Sequence, residues 1–339
     1  MMAGLVLGKF HPLHRGHLGL IDFGLNHCDR LYILICASQT ESISGDIRLQ
    51  WVKAAYANNP RAVPVLLHYD EQELPNTSVS SKEVSKIWAD KIRQIMPVPI
   101  DIVFSSEPYG DYLAGFLQCH HRSYDSGREK APISASQILS NPLFYWDYLS
   151  KPAQPFFVKK ICICGSESTG KTTITERLAQ HYQTVFVPEA GREIIPRTEI
   201  CTPELLQETA FRHAQMIEEK QKLANRLLFS DTDVNTTRSY SRYLFGTDLS
   251  TTDYIEEANR FDLWLYLGPD APFVQDGTRL DRERRNELDL FHQNTLNARG
   301  IAFDTITGSW EERFERAVIL INQRFLTFSK TTDHSATTK

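Results

Sequence analysis

Two stretches of this chain place side chains at spacings that suit phosphate chemistry. In the first, GKFHPLHRGH at 8–17, His14 and His17 stand either side of Gly16. On the first turn of a helix that spacing puts both imidazoles on one face, where they can meet one anion. Gly16 lets a nucleotide approach the backbone closely, and Lys9 adds a positive charge. Two imidazoles and the free amides of a helix start suit charge developing on phosphorus and on a departing pyrophosphate. The competing reading is a pair of surface histidines. Gly8, Phe10 and Pro12 at fixed offsets behind an apolar run argue against it.

The second stretch is GSESTGKT at 165–172, a complete G-x-x-x-x-G-K-[ST]. Gly165, Ser166, Glu167, Ser168, Thr169 and Gly170 form a loop whose amides cradle phosphates, with Thr173 following. Lys171 reaches the β- and γ-phosphates, and the Thr172 hydroxyl holds Mg2+. Downstream, the apolar run at 227–231 ends in Asp231 and, two residues on, Asp233. Both are candidates to hold Mg2+; the alternative is that they cap the next helix. In EAGRE at 189–193, Glu189 could bind a ribose hydroxyl, act as a base or cap a helix, and Arg192 lies beside it. Asp231 is the other candidate base. The run at 276–285 carries Arg279, Arg282, Arg284 and Arg285. It reads either as a lid over the transferred phosphoryl group or as a solvated helix start.

These residues need elements to hold them. Residues 4–7, 31–37, 63–68 and 100–104 read as strands, with helices over 16–27, 46–58 and 80–95 between them. A second series follows: strands at 160–164, 185–187, 227–231, 263–267 and 301–305, and helices at 203–226 and 311–326. Alternating strands and helices imply parallel sheets covered on both faces, so the fold class is α/β with two doubly wound domains. The expected boundaries are a first domain at 1–150, a structureless Pro-containing linker at 151–157, a second domain at 158–328 and a disordered polar tail at 329–339.

Composition narrows the class. The chain has 339 residues, 41% of them hydrophobic and 23% charged, which suits about two globular domains. Its 37 basic residues against 42 acidic ones give no basic excess, so nucleic acid is not an expected partner. No apolar run reaches the ~18 residues of a membrane span. The N-terminus lacks the charged start and the length of a signal peptide. Six cysteines without a C-x-x-C pair make no disulfide framework. Cys162 and Cys164 share one strand face as buried thiols. The expected compartment is the cytoplasm, without membrane association; a homo-oligomer stays open.

The pattern G-x-F-x-P-x-H-x-G-H resembles the nucleotidyltransferase superfamily of adenylyl- and cytidylyltransferases. That family carries a second motif, I-S-x-[ST]-x-x-R, whose arginine contacts ATP phosphates. Here ISASQIL at 133–139 matches through Ser134 and Ser136, but Leu139 stands in the arginine position. The departure implies impaired adenylyl transfer unless a cation such as Arg122 or Arg128 substitutes.

Both motifs in this order resemble the NadR-like family of bifunctional nicotinamide-mononucleotide (NMN) adenylyltransferases and ribosylnicotinamide kinases. SSEPYG at 105–110, NPLFYWDY at 141–148, AGRE at 190–193 and DTD at 231–233 also match, so the resemblance spans about residues 3–325. It implies a Rossmann-like nucleotidyltransferase followed by a P-loop kinase. ATP and Mg2+ would be the cofactors, nicotinamide riboside and NMN the substrates, and NAD the product. His14, His17 and Lys9 would serve transfer; Gly8, Phe10, Gly16, Ser134 and Ser136 would bind its nucleotide. Some members carry an N-terminal helix-turn-helix; with the first strand at residue 4, none is expected, nor a DNA-binding role. Trp51, Phe10 and Tyr109 are candidates to stack on nicotinamide, with core packing the better role for Trp51. Three alternatives remain: a transferase/kinase pair for another small metabolite, a kinase whose N-terminal domain is a nucleotide-binding regulatory module, and a DNA-binding regulator, which the charge balance and the lack of an expected helix-turn-helix disfavour.

Overall fold

Strands apolar on both faces need cover on both faces, and the helices between them supply it. The structure, a computed structural model, describes residues 1–75, 81–195, 200–270 and 282–327. It divides into two compact units, Met1–Phe156 and Phe157–Lys339.

In the first unit, β1 (Ala3–Gly8), β2 (Arg30–Ser38), β3 (Ala62–Tyr69), β4 (Ile102–Ser105) and β5 (His120–Ser123) form a parallel sheet in the order β3-β2-β1-β4-β5. On one face Leu5, Leu7, Tyr32 and Leu34 pack with Trp88 and Ile92 of α3 (Lys82–Ile95) and Leu113 of α4 (Tyr109–Leu117). The other face carries α1 (Arg15–Leu25) and α2 (Gly45–Ala55), where Gly24 lies close to Leu31 and Gly45 close to Ala37 and Leu66. A short α5 (Ala135–Ser140) follows β5.

Neither α4 nor β5 is read from the sequence. β5, HHRS, is a mostly exposed edge strand without an apolar face. α4 lacks a side-chain N-cap and ends on Gln118 in the left-handed conformation, where glycine would have marked the stop. The fourth strand begins at Ile102 rather than residue 100.

The expected linker is not structureless. Ala153 is fully buried, Gln154 donates to the Trp146 carbonyl at 3.2 Å, and α6 (Gln154–Phe157) forms with Pro155 in its only turn. A proline near a helix start forfeits no internal hydrogen bond, so the two prolines do not prevent order.

In the second unit, β6 (Lys159–Cys164), β7 (Phe186–Val187), β8 (Leu227–Asp231), β9 (Leu263–Leu267) and β10 (Asp304–Ile306) form a parallel sheet in the order β10-β9-β6-β8-β7. Helices α7 (Lys171–His181), α8 (Gly191–Ile194), α9 (Pro203–Gln221), α10 (Val234–Phe245), α11 (Asp253–Ala258), α12 (Arg282–Ala298) and α13 (Trp310–Ile321) connect and cover it. Ile161, Ile163, Phe229 and Leu265 pack with Ile174 and Leu178 of α7 and Ala317 and Ile321 of α13.

In this unit three boundaries differ by more than one residue from the sequence reading. α9 stops at Gln221 because the chain must turn into β8, with Arg226 at φ 65°. The last strand is Asp304–Ile306, in register with Leu265–Leu267. The last helix ends at Ile321 and continues as a π turn, Asn322–Leu326. The tail at 329–339 lies outside the described residues. All six cysteines are free thiols. Among the described residues, no helix is long and apolar enough to cross a membrane.

In each unit the first strand in chain order, β1 or β6, is central, with later strands on both sides. The crevice at the carboxyl end of such a strand is where open α/β sheets bind ligands. Both motifs sit there.

Candidate functional site

At the end of β1 the chain turns through Phe10, at φ 49° with its ring buried, into α1. His14 is the N-cap of α1; its Nδ1 accepts the Gly16 N–H at 3.1 Å. The neutral ring therefore carries its proton on Nε2, pointing a donor away from the helix. His17 follows one turn on, its ring centroid 3.9 Å from that of His14, with the Phe10 ring 4.9 Å away on edge. A Cβ at Gly16 would lie 2.9 Å from the His14 ring, so this glycine makes room for the histidine itself.

Burial, then the charge of Arg128, lowers the His14 pKa to about 4. Burial, then His14, holds His17 well below its ordinary value. The pair consists of neutral hydrogen-bonding imidazoles rather than two cations.

A cavity of about 420 Å³ opens over these rings. Gly8, Lys9, Phe10, His14, Gly16, His17, Ser134 and Ser136 all line it, so the structure brings the residues of both sequence motifs together. Tyr109, Arg128 and Leu139 also line it; Trp51 and Arg122 do not. Trp51 is buried and packs its ring on Phe156 at 5.6 Å. The Ser134 hydroxyl is engaged in a capping box with Gln137 at the start of α5, which leaves it a structural part.

Two residues the sequence reading missed control Lys9. Glu41, nearly buried, pairs with Lys9 at 3.0 Å and with Arg48 at 2.7 Å. Arg48 is fully buried and donates to the Lys9 carbonyl at 2.8 Å. The available signal was an arginine on the same helix face as Trp51 and Val52, the face α2 buries.

In the second unit the loop after β6 takes positive φ at Gly165 (139°), Ser168 (60°) and Gly170 (85°). Such reversals turn successive amides into one concavity. Gly165 and Gly170 are required twice over: a Cβ would stand 2.5 Å from the Leu267 carbonyl at one and 1.9 Å from the Trp310 ring at the other. Lys171 folds back, its Nζ donating to the Ser166 carbonyl at 2.9 Å. Thr169 also donates to that carbonyl, at 2.8 Å, so Ser166 and Thr169 brace the loop. Glu167 accepts from the Tyr240 hydroxyl at 2.8 Å. Thr173 is exposed on the first turn of α7.

The Thr172 hydroxyl donates to Asp231 at 2.5 Å and accepts from Arg192 at 3.1 Å; Arg192 also holds Glu189 at 3.0 Å. Asp231 ends β8, fully buried, and its Oδ1 has no hydrogen-bond partner. Burial, then the nearby Glu189, raises its pKa to about 6. Thr232 follows at φ 74°, a strained conformation for a β-branched residue.

A hydroxyl beside a buried carboxylate with an unused oxygen fits a hard divalent cation. Among the described residues no cluster of three or more His, Cys, Asp or Glu could hold a metal alone. Mg2+ here would depend on nucleotide phosphates for its other ligands. Asp233 does not belong to that set. It is the N-cap of α10, and its two oxygens accept from Thr236, Asn235 and Trp264. The helix and β9 consume both oxygens, so the capping alternative holds.

Of the arginine run, Arg279 lies outside the described residues, and Arg282 opens α12. Arg285 is buried and donates to the Pro269 carbonyl at 2.7 Å, which removes it from any lid. Sequence reasoning missed Arg313. Fully buried, it donates to the Thr169 carbonyl at 3.0 Å, to Gly308 and Gly268 carbonyls and to Asp270, tying the loop to β9 and β10. Its spacing with Ala317 and Ile321 was the signal for a buried position in a charged helix.

A family model described as an AAA domain matches residues 160–313. The Escherichia coli K12 trifunctional NAD biosynthesis/regulator protein NadR is 27% identical over 350 aligned residues, covering 94% of this chain and 82% of the relative. A solved NadR protein in complex with NR superposes with a TM-score of 0.74 at 20% identity, covering 96% of each chain. A NadR protein with NAD and AMP-PNP does so at 0.75 and 19%, covering 97% of each. The superpositions speak for the fold of both units.

Proposed function

We propose that this chain, homologous to the NadR proteins over 94% of its length, is a bifunctional enzyme of NAD synthesis. Its second unit phosphorylates nicotinamide riboside with ATP, and its first unit joins the resulting NMN to the adenylyl group of a second ATP. The observation that carries the reading is the presence in one chain of two assembled phosphate sites, the paired imidazoles over a cavity and the complete phosphate loop with its Thr172–Asp231 contact. The domain limits that go with it are 1–150 and 158–328.

In the kinase step the 5′-hydroxyl oxygen of the riboside attacks the γ-phosphorus, and ADP leaves. Lys171 and the loop amides hold the transferred group and the developing charge. Thr172 and Asp231 would hold Mg2+, which neutralises the β- and γ-phosphates when bound. With Asp231 given to the cation, Glu189, a quarter exposed and held by Arg192 at 3.0 Å, is the carboxylate that takes the hydroxyl proton.

In the transfer step an oxygen of the NMN phosphate attacks the α-phosphorus of ATP, and pyrophosphate leaves. The nucleophile is already ionised, so the protein needs neither base nor covalent intermediate. His14, His17 and the first amides of α1 orient the phosphates and donate to the charge that develops.

The test is a product assay by chromatography with Mg2+-ATP. Riboside alone should yield NMN and then NAD; NMN alone should yield NAD and pyrophosphate. Failure to consume either substrate, with another metabolite turned over instead, would assign the pair of sites to a different pathway.

A further inference from the structure

On the adenylyl-transfer reading the cavity at the end of β1 receives polyphosphate, yet its walls are short of positive charge. Among the described residues, Lys9 and Arg128 are the lysine and arginine that line it. Lys9 is committed at 3.0 Å to Glu41, which the buried Arg48 holds in turn. His14 is neutral at physiological pH. On α5 Ala135, Ser136 and Leu139 line the cavity, which gives a neutral hydroxyl and hydrocarbon but no cation.

Arg128 is placed differently. A carboxylate approaches its guanidinium at 3.9 Å, from Glu107, and both side chains are about half exposed, an arrangement that stabilises little. Its backbone is built for presentation. The Asp125 carboxylate accepts the N–H groups of Glu129, Lys130 and Ala131, and the Asp125 carbonyl accepts that of Arg128 at 2.8 Å. This turn holds Arg128 at φ 53°, a left-handed conformation that costs a non-glycine residue stability and that clusters at ligand sites.

We propose that Arg128 is the anion-clamping residue of this cavity: its guanidinium leaves Glu107 to bind phosphate oxygens of the nucleotide, supplying the charge that Leu139 does not. The proposal rests on the adenylyl-transfer reading of the first unit and deepens it. A planar guanidinium can take two phosphate oxygens at once, a geometry a lysine reproduces only in part.

The test compares wild type, Arg128→Ala, Arg128→Lys and the double variant Arg128→Ala/Leu139→Arg in NAD formation from NMN and Mg2+-ATP. Riboside phosphorylation by the same preparations controls for folding, and calorimetry of NAD binding runs beside it. Arg128→Ala should lose on the order of 100-fold in transfer kcat/KM with the kinase rate unchanged. Arg128→Lys should retain part of the activity. The arginine at 139 should recover at least about tenfold, a rescue that a purely structural role for Arg128 would not give.

Transfer within about threefold of wild type in Arg128→Ala would overturn the proposal, as would a loss that neither the lysine nor the arginine at 139 relieves. If Arg128→Ala loses the kinase too, Arg128→Lys and the double variant decide in its place. If the wild type makes no NAD from NMN, the transferase reading fails by itself, and Arg128 is judged on NAD affinity. A loss of at least about tenfold on substitution upholds the clamp; unchanged affinity, or no NAD binding by wild type, overturns it.

Discussion

His14 works in the cavity as a neutral donor, and that follows from where the fold puts it. Its Nδ1 caps α1, its ring is buried, and an arginine lies nearby, so protonation is disfavoured three ways. Nuclear magnetic resonance of the histidine rings should show His14 titrating near pH 4 in the free protein; a midpoint near 6.5 would contradict this account. The residue types of the two sites were legible because the chemistry needs them at fixed offsets: His14 and His17 around Gly16, Lys171 and Thr172 behind Gly170. Their supports were not. Glu41, Arg48 and Arg313 are ordinary charged residues by composition. They become functional only when burial forces each to find partners, and partners distant in sequence cannot be read from spacing.

Elements fix how rigidly those residues are held. The phosphate loop rests on Arg313 of α13, whose donors reach the loop and the ends of β9 and β10. Arg313→Met keeps much of the volume and strands several acceptors in a buried site. The expected cost is about 3–5 kcal/mol in urea unfolding of the second unit, with a raised KM for ATP. A loss under about 1 kcal/mol would mean the acceptors find other partners. Strands with two apolar faces, such as β1, β2 and β8, were legible as elements; β5 was not, because an exposed polar edge strand carries no apolar period. The segment at 150–157 was misread because prolines were taken as signs of disorder, although the chain there packs into the first unit.

At the scale of the molecule, buried neutral histidines shape acid stability. The folded pKa of His14 is depressed from 6.5 to about 4, that of His213 to about 4 and that of His292 to about 3. A depressed histidine favours folding fully above its unfolded value and loses that contribution as pH falls through the folded one. Asp231 opposes this: raised from 3.8 to about 6, it favours the folded state as pH falls below 6. The first unit has His14, with His17 held well below its ordinary value and His11 also lowered; the second has two such histidines against one aspartate. The second unit should therefore lose about 2 kcal/mol between pH 7 and pH 5 and the first unit at least that much, measured by urea unfolding at the two pH values. Constant or rising stability over that window would contradict the burial of these rings.

The central claim is that one chain carries two separate phosphoryl-chemistry sites acting in sequence. The direct measurement is a pair of product chromatograms with Mg2+-ATP, one from Lys171→Ala and one from His14→Asn/His17→Ala, asparagine being chosen because it still caps α1. The account predicts that Lys171→Ala leaves riboside untouched and converts NMN to NAD at the wild-type rate. The histidine variant should convert riboside to NMN and stop there. Loss of both steps in either folded variant, or of neither, would contradict the assignment of one reaction to each site.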